Sequence, residues 1–149
     1  MKPMQRLYPK LRLHATVRGP RGITVEQAVS RAAVEIDSWS DTAFEHIDAA
    51  IGDLRGMTSM RGQAIAPGDV FKKSEVIVNL AGHFSPPLCK AAQSLCNLAR
   101  KSLEGAAFDP GAVKVHVESM VLLRALGAGD SAAAAAILDG LQAVVAKAR

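Results

Sequence analysis

The strongest candidates for nucleophilic or metal-binding chemistry in this sequence are four histidines and two cysteines. His83 directly follows Gly82, a residue type that often ends helices, so we expect an exposed loop or capping histidine. His116 lies at helical spacing from Val113 and Val117, which favours a hydrogen-bonded core histidine over a ligand. Neither pattern predicts a catalytic residue.

The two cysteines, Cys89 and Cys96, stand seven residues apart. On one helix they would face the same way about 10.5 Å apart along the axis, which is too far for a disulfide. No histidine or third cysteine lies at ligand spacing, so no metal site is predicted. The sequence also contains no phosphate-cradling glycine loop and no nucleophile elbow. We therefore predict a protein that is not an enzyme, with no catalytic residue, no metal and no cofactor.

A long first helix is predicted from Thr24, because Thr24 and Gln27 have the spacing of a capping box. Apolar residues follow in steps of three and four: Val25, Val29, Ala32, Ile36, Trp39, Ala43, Ile47, Ala50 and Leu54. The opposite side is acidic: Glu35, Asp37, Asp41, Glu45, Asp48 and Asp53. That acidic side is interpreted as a solvated face, or as a surface that attracts a basic segment or a partner.

Four shorter helices are predicted after a glycine-containing linker. Their boundaries are marked by Asp69 and Gly82, by Pro86 and Gly105, by Asp109 and Gly127, and by Asp130 before the last helix. Short connections between them favour antiparallel neighbours. The predicted fold is all-α, an antiparallel up-down helical bundle formed by residues 23–149 as a single domain. No run of about 18 apolar residues is present, so no membrane contact is expected.

Residues 75–95, EVIVNLAGHFSPPLCKAAQSL, are typical of a helix, a glycine, a short turn and a second helix. This pattern resembles the central hairpin of the histidine phosphotransfer (HPt) domain family, a four-helix bundle that passes phosphoryl groups to response regulators. In that family a His stands four residues before a Gly, and a Lys stands one residue before the same Gly. Here the glycine is Gly82, while Val78 and Ala81 occupy the other two places. The resemblance implies an HPt-like scaffold without its phosphoacceptor, because valine has no nucleophilic atom.

A partner-binding patch is predicted on this hairpin. Phe71 and Val78 lie seven residues apart on one edge of the second helix, and Gly82 lies one turn beyond Val78. A glycine there removes a side chain where a partner protein must approach. Lys72 and Lys90 are placed at the rim, where charge tunes the association rate. The alternative is that the long first helix or a second copy of the chain covers the same residues.

A second resemblance extends over much of the chain. The segments that carry it are PRGITVEQAVSRA (20–32), AAQSLCNL (91–98), VHV (115–117) and GL (140–141). Together they resemble the CheE family of small alphaproteobacterial chemotaxis proteins. The resemblance implies a cytoplasmic accessory protein of a chemotaxis signalling system with no enzymatic activity.

Charge is distributed unevenly along the chain. Residues 1–22 contain six basic and no acidic side chains, whereas residues 23–149 contain twelve basic and fourteen acidic ones. We predict a largely irregular basic arm that is solubilising or docked locally on the domain, with contact to an acidic partner as the alternative. Nucleic acid is not expected as a partner, because no basic face is predicted on the folded part. Two cysteines without an export signal favour the cytoplasm.

Three functions are compatible with these patterns. The first is a non-catalytic helical adaptor of chemotaxis or two-component signalling that binds a response regulator or a histidine kinase. The second is an active phosphotransfer protein that uses His83 or His116. The third is a structural homodimer built on the long first helix, whose apolar stripe is similar to a heptad seam that includes Trp39.

Overall fold

A computed structural model describes residues 22–59, 64–127 and 129–147. Across these ranges the chain forms five α-helices and no strand: α1 (Val25–Ser59), α2 (Pro67–Phe84), α3 (Pro86–Leu103), α4 (Pro110–Leu126) and α5 (Ser131–Lys147). The predicted all-α fold with a long first helix is confirmed. The predicted basic arm lies outside the described residues apart from Gly22, and it stays a prediction. None of the described helices is both long and apolar enough to cross a membrane.

The chain divides into two compact units, the first ending at Trp39 and the second beginning at Ser40. In the first unit, the start of α1 carries the predicted capping box. The Gln27 side-chain oxygen accepts a hydrogen bond from the Thr24 amide at 3.1 Å, and the Thr24 hydroxyl oxygen accepts one from the Gln27 amide at 3.2 Å. These two bonds satisfy amides that have no partner within the helix, which fixes where α1 begins.

The second unit is an antiparallel up-down bundle of the later part of α1 with α2, α3, α4 and α5. The α3 helix is central, because it packs against α2, α4 and α5. Every helix contributes buried apolar side chains to one core, among them Ile47, Ile77, Leu95, Met120 and Leu141. Many of the other buried positions are alanines, which allow the helices to approach closely.

Side chains of α1 are tied to neighbouring helices of this unit. The Arg124 guanidinium donates two hydrogen bonds to the Asp48 carboxylate, at 2.8 and 3.0 Å, and lies 4.2 Å from the centre of the Phe44 ring. Lys73 forms an ion pair with Asp53. Two acids that the sequence assigned to a solvated face are therefore engaged within the bundle. Bidentate geometry makes the Asp48 pair the more specific of the two.

The start of α2 differs from the prediction that Asp69 caps it. The helix begins at Pro67, and the extended residue before it, Ala66, is the N-cap. Proline has no amide hydrogen to leave unpaired and its fixed φ suits the first helical position. Asp69 lies within the first turn, where its negative charge still favours the amino end of the helix dipole.

The end of α2 was also predicted wrongly, at Gly82. The helix continues to Phe84, and Gly82 does not adopt a positive φ. The helix ends because Ser85 precedes Pro86, and a residue before proline is disfavoured in the helical conformation. Ser85 accordingly lies outside the helical region, with φ −147° and ψ 83°, and it is the only residue between α2 and α3.

The remaining boundaries agree with the predictions. Gly105 and Gly127 follow α3 and α4 with positive φ values of 105° and 62°. The Asp109 side chain accepts a hydrogen bond from the Gly111 amide at 2.8 Å at the start of α4. The Asp130 side chain accepts one at 2.9 Å from an amide in the first turn of α5. In each case a residue type with the required geometry stands where the helix ends or begins.

The apolar stripe of α1 separates into two parts. Its later positions are buried in the second unit: Ala43, Ile47, Ala50 and Leu54. Its earlier positions are exposed: Val25, Val29, Ala32, Ile36 and Trp39. One sequence pattern therefore covers both a core-forming segment and an apolar surface.

Candidate partner-binding site

Two half-buried side chains, Phe71 and Val78, lie on one edge of α2 and pack on the core. The cysteines of α3 lie against the same stretch of helix. Cys96 Sγ is 3.9 Å from the Phe71 carbonyl oxygen, and Cys89 Sγ is 3.6 Å from the Val78 carbonyl oxygen. We call the surface formed by Phe71, Val78, Gly82, Cys89 and Cys96 the α2–α3 edge.

The cysteines were not predicted to lie on this surface, although the spacing of the residues indicates it. Phe71 and Val78 are seven residues apart, and so are Cys89 and Cys96. The two helices are antiparallel and joined by one residue, so equal spacing places Val78 beside Cys89, near the turn, and Phe71 beside Cys96, farther from it. This is the arrangement that the structure shows.

Gly82 is exposed at the end of this edge. A Cβ added there would meet only Cys89 Sγ, at the ordinary contact distance of 3.8 Å, and the backbone has a helical φ. Neither space nor conformation therefore requires a glycine. A glycine within a helix lowers stability relative to alanine. Gly82 leaves the backbone bare one turn beyond Val78.

We expect Gly82→Ala to stabilise the folded protein. Alanine should raise the free energy of unfolding by about 0.5–1 kcal/mol, less if the last turn of α2 frays, because it restricts the unfolded chain and favours the helix. Chemical denaturation measures this change. A loss of stability would mean that the close packing of α2 on Cys89 cannot accept the methyl group.

The two rim lysines occupy different places. Lys72 is exposed on α2 next to Phe71. Lys90 is also exposed, but it lines a groove between α3 and α5 that Cys89 does not line. The structure thus brings Phe71, Val78 and Gly82 together and places Lys90 on another side of α3.

The cysteines are both free and half-buried. Burial raises the pKa of the Cys96 thiol, and a hydrogen bond with Ser74 acts in the opposite direction. A raised pKa keeps the thiol protonated near neutral pH, and the protonated form is a poor nucleophile. The thiol therefore acts here as a small packing group.

His83 is exposed in the last turn of α2, where its ring meets the Phe84 ring edge-on with centroids 6.2 Å apart. The sequence placed His83 beyond the helix, and this is corrected because α2 extends to Phe84. Its position one residue after Gly82 puts it about 100° around the helix from that glycine.

His116 is fully buried and hydrogen-bonded at both ring nitrogens, which confirms the predicted core histidine. Its Nδ1 lies 2.7 Å from the Ala112 carbonyl oxygen, which can only accept, so Nδ1 carries the proton. Nε2 is then the acceptor for the Ser94 hydroxyl at 3.0 Å. Burial lowers the pKa of His116, and the bond to Ala112 partly opposes this. The ring is neutral at neutral pH, and its lone pair is occupied by Ser94.

In the part of the chain that the structure describes, no group of three or more His, Cys, Asp or Glu side chains could hold a metal ion. The edge consists of half-buried apolar groups beside an exposed glycine. No protein-family model, curated protein or solved structure matches this chain.

Proposed function

We propose that this protein is a non-catalytic helical adaptor of bacterial chemotaxis or two-component signalling, which binds a response regulator or a histidine kinase through the α2–α3 edge. The observation that carries the proposal is the apolar edge itself. Phe71 and Val78 are half-buried on one side of α2, and the exposed Gly82 leaves bare backbone one turn beyond Val78. A glycine in that place serves the approach of another molecule.

The chemistry of the edge supports contact rather than phosphoryl transfer. Val78 has no atom that could accept a phosphoryl group, and the Cys96 thiol is held protonated by burial. Apolar groups at the centre with charged groups such as Lys72 around them match the composition of protein–protein interfaces. Val78 and Phe71 would enter the partner's pocket, and Lys72 would affect how fast the complex forms.

The competing function is an active phosphotransfer protein that uses His83 or His116. Burial excludes one of these two histidines. His116 has no exposed surface and its free lone pair is occupied by Ser94, so it offers no site for an incoming phosphoryl group. His83 is exposed beside Gly82. Of these two candidate histidines, His83 is therefore the one that could accept a phosphoryl group from a kinase or a receiver domain.

Two measurements on one set of proteins test the proposal. Purified receiver domains of response regulators and purified histidine kinase domains are titrated against the chain, and the same mixtures are charged with radiolabelled ATP. The proposal predicts saturable binding to at least one domain without acid-labile label on this chain. Label that disappears in His83→Gln would establish phosphotransfer instead.

A further inference from the structure

The exposed large apolar side chains among the described residues concentrate at the start of α1. Val25, Val29 and Trp39 are 71%, 62% and 62% exposed, and Ile36 is 38% exposed. A contiguous apolar surface of this kind is uncommon on proteins that act alone and usually marks a contact site. The helix is otherwise well formed, with a complete capping box at its first turn.

The spacing of these residues indicates which kind of structural element could pack against them. Steps of four, three, four and three residues separate Val25, Val29, Ala32, Ile36 and Trp39. This alternation is the heptad pattern of a seam between two helices. Ala28 and Ala33 flank the seam, and their small side chains widen the apolar strip so that another helix can approach closely. The surface therefore suits an amphipathic helix with the same repeat.

We infer that the exposed stripe of α1 pairs with the same stripe of a second copy of the chain over residues 29–39, in an antiparallel two-helix contact. A second copy supplies a heptad stripe of the same length and spacing. The contact is separate from the α2–α3 edge and does not depend on the proposed function. Either can fail while the other stands.

Side-chain size favours the antiparallel orientation. With Trp39 opposite Val29 of the second copy, Ile36 falls opposite Ala32 of the second copy, so each layer joins a larger and a smaller residue. A parallel pair would stack Trp39 on Trp39, with alanine against alanine two layers away.

The extent of the contact sets the expected affinity. In this register residues 29–39 of the two copies lie alongside each other over about 16 Å of helix, and Val25 has no partner within the stripe. So short a contact buries less than about 1,000 Å², which is below the usual size of a stable specific interface. The dimer should accordingly dissociate on dilution within the micromolar range rather than persist at all concentrations.

The single tryptophan makes the contact directly observable. Sedimentation and tryptophan emission are recorded on the full chain across a dilution series. We expect the sedimentation coefficient to fall from that of a dimer to that of a monomer, and the emission of Trp39 to move to longer wavelength over the same concentrations. An exciton couplet from paired indoles in the circular dichroism of the dimer would overturn the antiparallel register.

Two substitutions on the same helix provide the matched comparison. Ile36→Glu places a charge in the seam, whereas Val34→Glu places the same charge at a position that is 69% exposed and lies off the stripe. We expect the dimer dissociation constant to rise at least tenfold with Ile36→Glu and less than twofold with Val34→Glu. The helical signal of both monomers should match that of the unsubstituted chain.

Three results would overturn the inference. One is a monomer at every concentration with Trp39 accessible to a soluble quencher. Another is a monomer in which Trp39 is shielded, because another segment of the same chain would then cover the stripe. The third is equal weakening by the two substitutions, because the contact would then lie elsewhere.

Discussion

Val78→Arg should weaken binding to the cognate response regulator or kinase domain by roughly thirtyfold or more, the loss of a central interface residue. Val78 is half-buried beside Cys89 and faces the bare backbone at Gly82, so a partner that uses this edge must contact it. An arginine there introduces a charge that the partner would have to desolvate. Isothermal titration of the purified domain with each variant measures the change.

A matched control lies on the same helix. Val76 is 41% exposed and stands two residues earlier, so it points about 200° away from Val78. Val76→Arg should leave the affinity within about twofold, and neither variant should unfold the bundle, because an arginine stem can lie along the surface. Equal affinities for Val78→Arg and the unsubstituted chain would exclude the α2–α3 edge as the binding surface.

Acidification should destabilise the bundle through His116. Its folded-state pKa lies below the value of about 6.5 that it has in the unfolded chain, so between these two values the unfolded chain binds more protons. Stability is therefore complete above about pH 6.5 and falls as the pH drops below it, by up to about 1.4 kcal/mol per pH unit, until the folded-state pKa is reached. Urea unfolding across this range measures the slope.

The variant His116→Asn isolates this effect. Asparagine can still donate to the Ala112 carbonyl oxygen but cannot reach Ser94, so we expect a loss of about 1–3 kcal/mol at pH 7 and a flatter pH dependence. The difference between the two curves removes the contribution of the other titrating groups. An identical slope in both proteins would show that protonation of His116 does not govern acid unfolding.

Much of the fold follows from local signals in the sequence. The capping box at Thr24, the cap at Asp109 and the glycines at 105 and 127 each fix a helix boundary through a hydrogen bond or a backbone conformation. Such signals act within a few residues, so a sequence displays them directly. The error at Gly82 arose because two end signals stand four residues apart. The proline at 86 prevails, since it restricts Ser85, while Gly82 merely permits an end.

Other features depend on which helices pack against one another, and local sequence patterns do not predict that packing. The stripe of α1 has one period throughout, yet Ile47 is buried and Val29 is exposed, because only the later part lies within the bundle unit. The Ser94–His116 bond joins residues 22 positions apart on different helices, and no local pattern announces it. The predicted partner-site residues illustrate the same difference. Phe71, Val78 and Gly82 lie on one edge as expected, because they share one helix. Lys90 lies beside α5 instead, because its surroundings depend on how α3 packs.

Chemical-shift mapping shows which surface of the chain a partner contacts. The isotope-labelled chain is titrated with an unlabelled receiver or kinase domain that binds it, and backbone amide shifts are followed to saturation. We expect the largest changes to cluster around the α2–α3 edge (Phe71, Val78, Gly82, Cys89 and Cys96), with His116 and its neighbours unaffected. Saturable binding whose shift changes lie on α5 or on the exposed stripe of α1, and not on the α2–α3 edge, would contradict this expectation.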